Sequence, residues 1–266
     1  MPASPLITVM TGAARKAARA VSRDFGEVEN LQVSQKGPAD FVTRADRKAE
    51  KVIVEELKKA RPKWGFQLEE GGEIAGTDGQ HVWVVDPIDG TTNFIHGIPH
   101  FAVSIGLTRN GEPVAGVIYN PITDELFAAE RGGGAYLNDR RLRVSGRRDI
   151  SDAVIACGIP HRGRGDHAEF RRELAQVQAK AAGIRRAGTA SLDLAWVAAG
   201  RLDGYWERGL QPWDICAGIV MVREAGGFAA DIDGGPDVMN TGDIMAGNEH
   251  MQSGLKACIK AARAGE

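Results

Sequence analysis

The sequence has little cysteine, few aromatics, no strong excess of either charge and no long apolar run. Each shortage removes a class of protein. Cys157, Cys216 and Cys258 are the only cysteines in 266 residues. Their odd number and wide spacing leave neither a disulfide framework nor a CxxC metal site, which fits a reducing, cytoplasmic compartment. Lysine and arginine total 33 against 35 acids, a formal net charge of −2. That balance exerts no general pull on nucleic acid or anionic membrane, so direct binding to either is not expected. No stretch approaches the roughly 18 apolar residues that a membrane-spanning helix needs. Internal repeats, low-complexity tracts and long Pro/Ser-rich linkers are also missing, and with them any clean domain boundary.

What is present suits a globular, enzyme-sized chain: 43% hydrophobic and 26% charged, with 34 glycines. Such a length buries a sizeable core as one large domain or two fused halves. Residues 1–23 carry Arg15, Lys16, Arg19 and Arg23, many alanines and no acid. This superficially matches an organelle transit peptide, but it reads equally as a first helix with a solvated basic face, ended near Gly26. A second helix opens at Thr43, which forms a T-x-x-D capping pattern with Asp46, and stops at Arg61-Pro62.

Strand signals follow at 64–68, at 81–86 and at 101–108, where large and small residues alternate. Asn110-Gly111 predicts a hairpin into 113–119, and Gly132-Gly133-Gly134 and Asn138-Asp139 predict two more. Beyond about residue 150 the texture changes to alternation. Strands are expected at 152–157, 184–187 and 203–207, and helices at 165–182, 190–200, 213–225 and 249–263. Hairpins first and alternation afterwards imply a mixed α/β (α+β) architecture of two sheets layered with helices. The expected organisation is one unit with subregions 1–150 and 151–266.

The chemistry centres on residues 83–94, WVVDPIDGTTNF. Asp86-Pro87-Ile88-Asp89 has the residues of a type I turn, whose first and fourth Cα atoms lie within about 7 Å. Such a turn brings together two carboxylates that an extended strand would send to opposite faces. Paired acids near a buried strand repel unless a cation sits between them, and Mg²⁺ prefers carboxylate oxygens. The Ile88 carbonyl points into the same turn. Gly90-Thr91-Thr92-Asn93 then offers N–H groups and hydroxyls at a probable helix start, a suitable phosphate cradle. Taken alone, the stretch is also compatible with a capped structural turn. Glu69-Glu70 at another strand end and Asp214 at a helix start, with Ile215, Ile219 and Val222 on its buried face, shift the balance toward a metal site.

These motifs resemble the inositol monophosphatase family. The likeness runs from Lys36 and DFVTRAD (40–46), through the Glu69-Glu70 pair and DPIDGTTNF, to GTASLDLAWVAAGRLDGYWE (188–207). It ends with the Trp213-Asp214 helix closing at Gly227 and the last helix, and so covers nearly the whole chain. The resemblance implies an αβαβα sandwich, a homodimer, lithium sensitivity and two or three Mg²⁺ per site. It makes Glu69, Asp86, Asp89, Asp214 and the Ile88 carbonyl the metal ligands. Asp86 would bridge two ions, one shared with Glu69 and Ile88, the other with Asp89 and Asp214. Thr91 and Glu69 would orient and deprotonate the attacking water, supported by Asp46 and Glu70. Gly90 and Thr91 would hold phosphate, and Gly188, Thr189, Ala190 and Glu207 would meet the alcohol.

The expected substrate is a small phosphorylated polyol or sugar, foremost myo-inositol 1-phosphate. Fructose 1,6-bisphosphate, histidinol phosphate and nucleotide bisphosphates stay open through the same metal motif, and Arg185 and Arg186 are candidates for a second phosphate. A role as a binding partner in a transcription or RNA-processing complex is the non-enzymatic alternative. Asp46 is explained equally well as half of a capping box. His96 and His100 flank Gly97 and Pro99, which excludes a helical zinc pair, and 231–235 is a turn lacking the remaining acids of a calcium loop. One departure stands out: Leu68 occupies the position before the acidic pair where the family usually has glycine, which reads either as harmless variation at a strand end or as a retuned metal site, with activity retained and a raised Mg²⁺ requirement in the second case.

Overall fold

The computed structural model describes residues 4–25, 33–37, 40–161, 163, 165–235 and 237–264, with 33–37 and 40–43 described by their backbone. The Lys36 and Thr43 side chains, and with them the hydroxyl half of the expected capping box, therefore lie outside the described residues.

Helix α1 (Pro5–Phe25) leads into a hairpin of β1 (Val33–Gly37) and β2 (Asp40–Thr43), then helix α2 (Arg44–Ala60). Eight strands follow: β3 (Gly65–Leu68), β4 (Gly72–Ile74), β5 (His81–Asp89), β6 (Ala102–Arg109), β7 (Glu112–Asn120), β8 (Glu125–Glu130), β9 (Gly134–Leu137) and β10 (Arg140–Arg141). They form one sheet in the order β10-β9-β8-β7-β6-β5-β3-β4, antiparallel except for the β3–β5 pair. The short helix α3 (Thr91–Ile95) interrupts it after β5. Asn110 and Gly111 take φ of 53° and 81°, the mirror-image turn that an Asn-Gly pair favours.

The rest of the chain builds a second sheet from β11 (Val154–Cys157), β12 (Gly183–Arg185), β13 (Gly204–Glu207), β14 (Phe228–Asp231) and β15 (Ile244–Gly247). Its order is β12-β11-β13-β15-β14, with β11 parallel to both neighbours. Helices α4 (His167–Gln178), α5 (Ala190–Ala198), α6 (Pro212–Glu224), α7 (Val238–Thr241) and α8 (Glu249–Ala264) alternate with these strands.

Three apolar clusters define the layers. Helices α1 and α2 pack on the outer face of the large sheet around Met10, Ile53, Trp83 and Phe94. Helices α4 and α8 cover the outer face of the small sheet around Val177, Trp206 and Leu255. Between the sheets lie α5 and α6, and the sandwich is αβαβα, as expected. The expectation of a single buried face on α6 needs correcting. Ile215 to Val222 are buried without interruption, because a helix clamped between two sheets has no solvent side. Small residues permit that depth. A Cβ on Gly116 of β7 would stand 2.6 Å from the Ala217 Cα, so glycine lets α6 lie directly on the sheet.

Helix ends otherwise fall within a few residues of expectation; α4 is shorter than anticipated, opening after its cap Asp166 and ending at Gln178. Strands β4, β14 and β15, the β1–β2 hairpin and the single-turn α7 carry too little periodicity to be read from sequence.

Candidate active site

The two aspartates of β5 do converge, but not through a turn. Asp86 pairs with Ser104 and Asp89 with Ala102, so three steps along β5 oppose two along β6. This is a bulge inside a continuous strand, and it replaces the expected type I turn. Pro87 has no N–H to give the ladder, and the extra residue absorbs that gap. A bulge also shifts the side-chain alternation by one, which puts Asp86 and Asp89 on the same face. The Ile88 N–H closes the kink by donating to Asp86 Oδ1 at 2.9 Å.

Downstream, Gly90 caps α3 at φ 95° with its Cα against Thr189 Oγ1, where a side chain would be both strained and obstructed. Thr91 Oγ1 lies 3.0 Å from the Ile88 carbonyl and 3.4 Å from Asp46 Oδ1. Asp46 is fully buried in the first turn of α2, with its Oδ1 against the Thr91 hydroxyl. Asn93 ties this turn to the other half of the chain. Its amide donates to the His100 carbonyl at 2.7 Å and to the Ala187 carbonyl at 2.9 Å. Thr189 Oγ1 reaches the same His100 oxygen at 2.9 Å.

Asp214 arrives from the opposite direction, at the start of α6, where its Oδ2 accepts from the Gln211 N–H at 2.7 Å. Among the described residues, Asp86, Asp89 and Asp214 bring carboxylate oxygens within 4.8 Å of one another. They line one cavity of about 180 Å³ with Glu69, Ile88, Gly90, Thr91, Gly188, Thr189, Ala190 and Glu207. Glu70 and Asp46 are not in that lining; Glu70 stands behind it, its N–H donating to Glu50 Oε2 at 2.9 Å.

Electrostatics mark this cavity as a place short of positive charge. Burial, and then the charges of Glu69, Asp89 and Asp214, hold Asp86 well above the ordinary carboxylate range. Burial pushes Asp89 to about 7, opposed by hydrogen bonding to Ser191, whose N–H donates to Asp89 Oδ2 at 2.7 Å, and reinforced by Glu207 and Glu69. Oxygen donors that resist ionising together are the donor set a hard divalent cation satisfies.

Glu207, at the end of β13, accepts from the buried Tyr205 hydroxyl. Arg186 lines the cavity, while Arg185 donates to the Ile184 carbonyl. The cysteines are core residues: all three are buried, and burial pushes the Cys157 and Cys216 thiols up to about 12. The His100 ring packs edge-on to Trp196 at 5.0 Å, away from any metal pair with His96. Asp231 organises the expected turn by accepting from the Asp233 N–H at 2.7 Å. Leu68 is buried in β3 and packs under the Glu69–Gly71 segment, close to Glu50.

Sequence reasoning missed Glu50, Ser191 and His161, and it placed Asn93 in the cradle without its ties to the His100 and Ala187 carbonyls. Glu50 had a usable signal, since it lies one helical turn beyond Asp46 on the apolar side of α2. The others are placed by contacts distant in sequence.

The five-layer sandwich thus gathers, from a bulged strand and a central helix, carboxylates able to hold a metal ion, as a metal-assisted phosphoester hydrolase requires. The sequence profile of the inositol monophosphatase family matches residues 3–264, and the chain belongs to that family, which makes it a phosphatase. It is 60% identical over 260 residues to the inositol-1-monophosphatase of Mesorhizobium japonicum, covering 98% of each chain. It is 44% identical over 256 residues to the Nus factor SuhB of Escherichia coli K12, covering 96% of each. The crystal structure of the extragenic suppressor protein suhB from Bartonella henselae superposes with a TM-score of 0.94 at 61% identity, over 97% of this chain and 99% of that one.

Proposed function

We infer that the protein is a Mg²⁺-dependent phosphomonoesterase that converts myo-inositol 1-phosphate to inositol and phosphate. The observation that carries this reading is the meeting of Asp86, Asp89 and Asp214 within 4.8 Å beside Thr91 and Glu207. Glu69, Asp86, Asp89, Asp214 and the Ile88 carbonyl hold two or three Mg²⁺. Bound there, the cations supply Lewis acidity for the phosphoryl oxygens and lower the pKa of the attacking water.

The remaining work falls to the chain itself. Thr91, with its hydroxyl between the Ile88 carbonyl and Asp46, orients the water, and Glu69 accepts its proton. Asp46 and Glu70 keep those two groups in place. Backbone N–H groups of Gly90 and Thr91 seat the phosphate. Gly188, Thr189 and Ala190 flank the alcohol, and the Glu207 carboxylate accepts from adjacent hydroxyls. No covalent nucleophile is needed.

The protein acts as one unit, as a homodimer in the cytoplasm, and its turnover is lithium-sensitive. The buried, unbridged cysteines support a reducing compartment. Light scattering checks the dimer. A phosphate-release screen checks the substrate: inositol 1-phosphate, fructose 1,6-bisphosphate, histidinol phosphate and 3′-phosphoadenosine 5′-phosphate, with and without Mg²⁺ and lithium. Inositol 1-phosphate is expected to lead, and absence of release from every ester removes the enzymatic reading. A second role as a binding partner in transcription is favoured by the 44% identity to a protein called a Nus factor. An Asp89→Asn protein that loses turnover but keeps such a role separates the two.

A further inference from the structure

A second cavity of about 290 Å³ adjoins the catalytic one. The two share Gly158, His161, Glu207 and Leu210 in their linings, so the second begins where the first ends, past Glu207. Gly158 keeps this junction narrow yet passable. A Cβ there would overlap the Glu207 carboxyl, so any side chain would displace the group that faces the alcohol.

The second chamber is apolar along one stretch and charged at its far end. Ile159 and Pro160 form one side and Phe170 another, with the Phe170 ring stacked on Trp206 at 6.3 Å. Ile159 is 43% exposed, one of few large apolar side chains left open to solvent among the described residues. At the far end Arg208 is already engaged: its guanidinium lies 2.6 Å from Glu173, 2.8 Å from Asp243 and 3.4 Å from Glu169. Among the described residues lining this chamber, Arg208 is the one arginine or lysine, and carboxylates already hold it. At the junction His161 Nδ1 is buried without a hydrogen-bond partner and belongs to both linings, placed to meet a polar atom that crosses between them.

We propose that this chamber is an extension of the substrate site that takes an uncharged, flat apolar group on the alcohol half of a phosphomonoester. The protein therefore hydrolyses aryl-extended esters in addition to inositol phosphate. This rests on the metal-assisted hydrolysis proposed above.

Comparing phenyl phosphate with 2-naphthyl phosphate tests it, because the two phenols leave with similar acidity and differ mainly in reach. In the Mg²⁺-loaded protein, kcat/KM for the naphthyl ester is expected to exceed that for the phenyl ester by about tenfold, the scale of added contact in an apolar pocket. Ile159→Ala and Ile159→Glu, both at an exposed position that tolerates change, remove that advantage and leave inositol 1-phosphate turnover unaltered. A naphthyl ester turned over no better than the phenyl ester, or an advantage that survives Ile159→Glu, overturns the proposal while inositol 1-phosphate hydrolysis stands. Loss of inositol 1-phosphate hydrolysis in the parent protein instead overturns the functional reading beneath it.

Discussion

The two sheets contribute to the site in different ways. The eight-stranded sheet, drawn from residues 65–141, supplies acids through a defect: the bulge at Pro87 turns a buried strand into a carboxylate pair. The five-stranded sheet, drawn from residues 154–247, supplies them through element ends, with Glu207 closing β13 and Asp214 opening α6. The first device places charge where it is costly, and the raised values of Asp86 and Asp89 express that cost. The second uses positions where a carboxylate is already useful, since Asp214 satisfies an N–H at a helix start. Concentrated charge therefore belongs to the first half, and most of the proposed contacts to the alcohol belong to the second.

Asp89→Asn strikes the costly half directly. Turnover is expected to fall by roughly 10³-fold, as for loss of a preorganised electrostatic group. In the absence of divalent cations its unfolding midpoint should equal or exceed the parent's, because a buried acid has gone. A lower midpoint, read by thermal melts in EDTA, would mean that Asp89 is mainly structural.

Leu68→Gly tests the support under Glu69. Emptying a buried leucine position should cost about 3 kcal/mol in denaturant unfolding. The Mg²⁺ concentration giving half-maximal rate should move to lower values if Leu68 tunes the metal site. Superimposable titration curves assign Leu68 to packing alone.

Gly116→Ala probes the helix that joins the halves. The new methyl meets the Ala217 backbone, so α6 must shift, at about 1–3 kcal/mol of stability. Because α6 carries Asp214 while the proposed alcohol contacts lie outside it, at 188–190 and Glu207, Mg²⁺ dependence should change more than KM for substrate.

The smallest effect expected is on pH dependence. Asp89 is pushed up to about 7, so between pH 4 and 7 the native state keeps protons that the unfolded chain has released. Its contribution is present below pH 4 and is lost as pH rises through 7. Asp78, held at about 2 chiefly by its hydrogen bond from Gln80, contributes above pH 4 and falls away only below it, so the two windows do not overlap. In EDTA the unfolding midpoint should be higher at pH 5 than at pH 7, and saturating Mg²⁺ should narrow the gap. An equal gap with and without the cation would separate these acids from metal binding.

Much of the large sheet was legible because its hairpins carry strong local signals: Asn110-Gly111, the glycine run at 132–134 and Asn138-Asp139 all bound strands where expected. The small sheet was less legible. Phe228–Asp231 and Ile244–Gly247 are short, and their pairing with β13 and with each other is non-local. Helices α5 and α6 were found as helices, yet their burial on all sides was missed, because a uniformly apolar helix has no face to read.

The sequence by itself determined the set of acids and the Gly90-Thr91 turn beside them, since each depends on local chemistry within a few residues, and the resemblance those motifs carry implied the αβαβα class. Only the tertiary structure decided how those acids meet. The Pro87 bulge is defined by register against β6, Asn93 by carbonyls on two other segments, and Glu207 by a strand whose far side opens into a second chamber. Register and cavities arise from packing between distant segments, and no run of neighbouring residues encodes them alone.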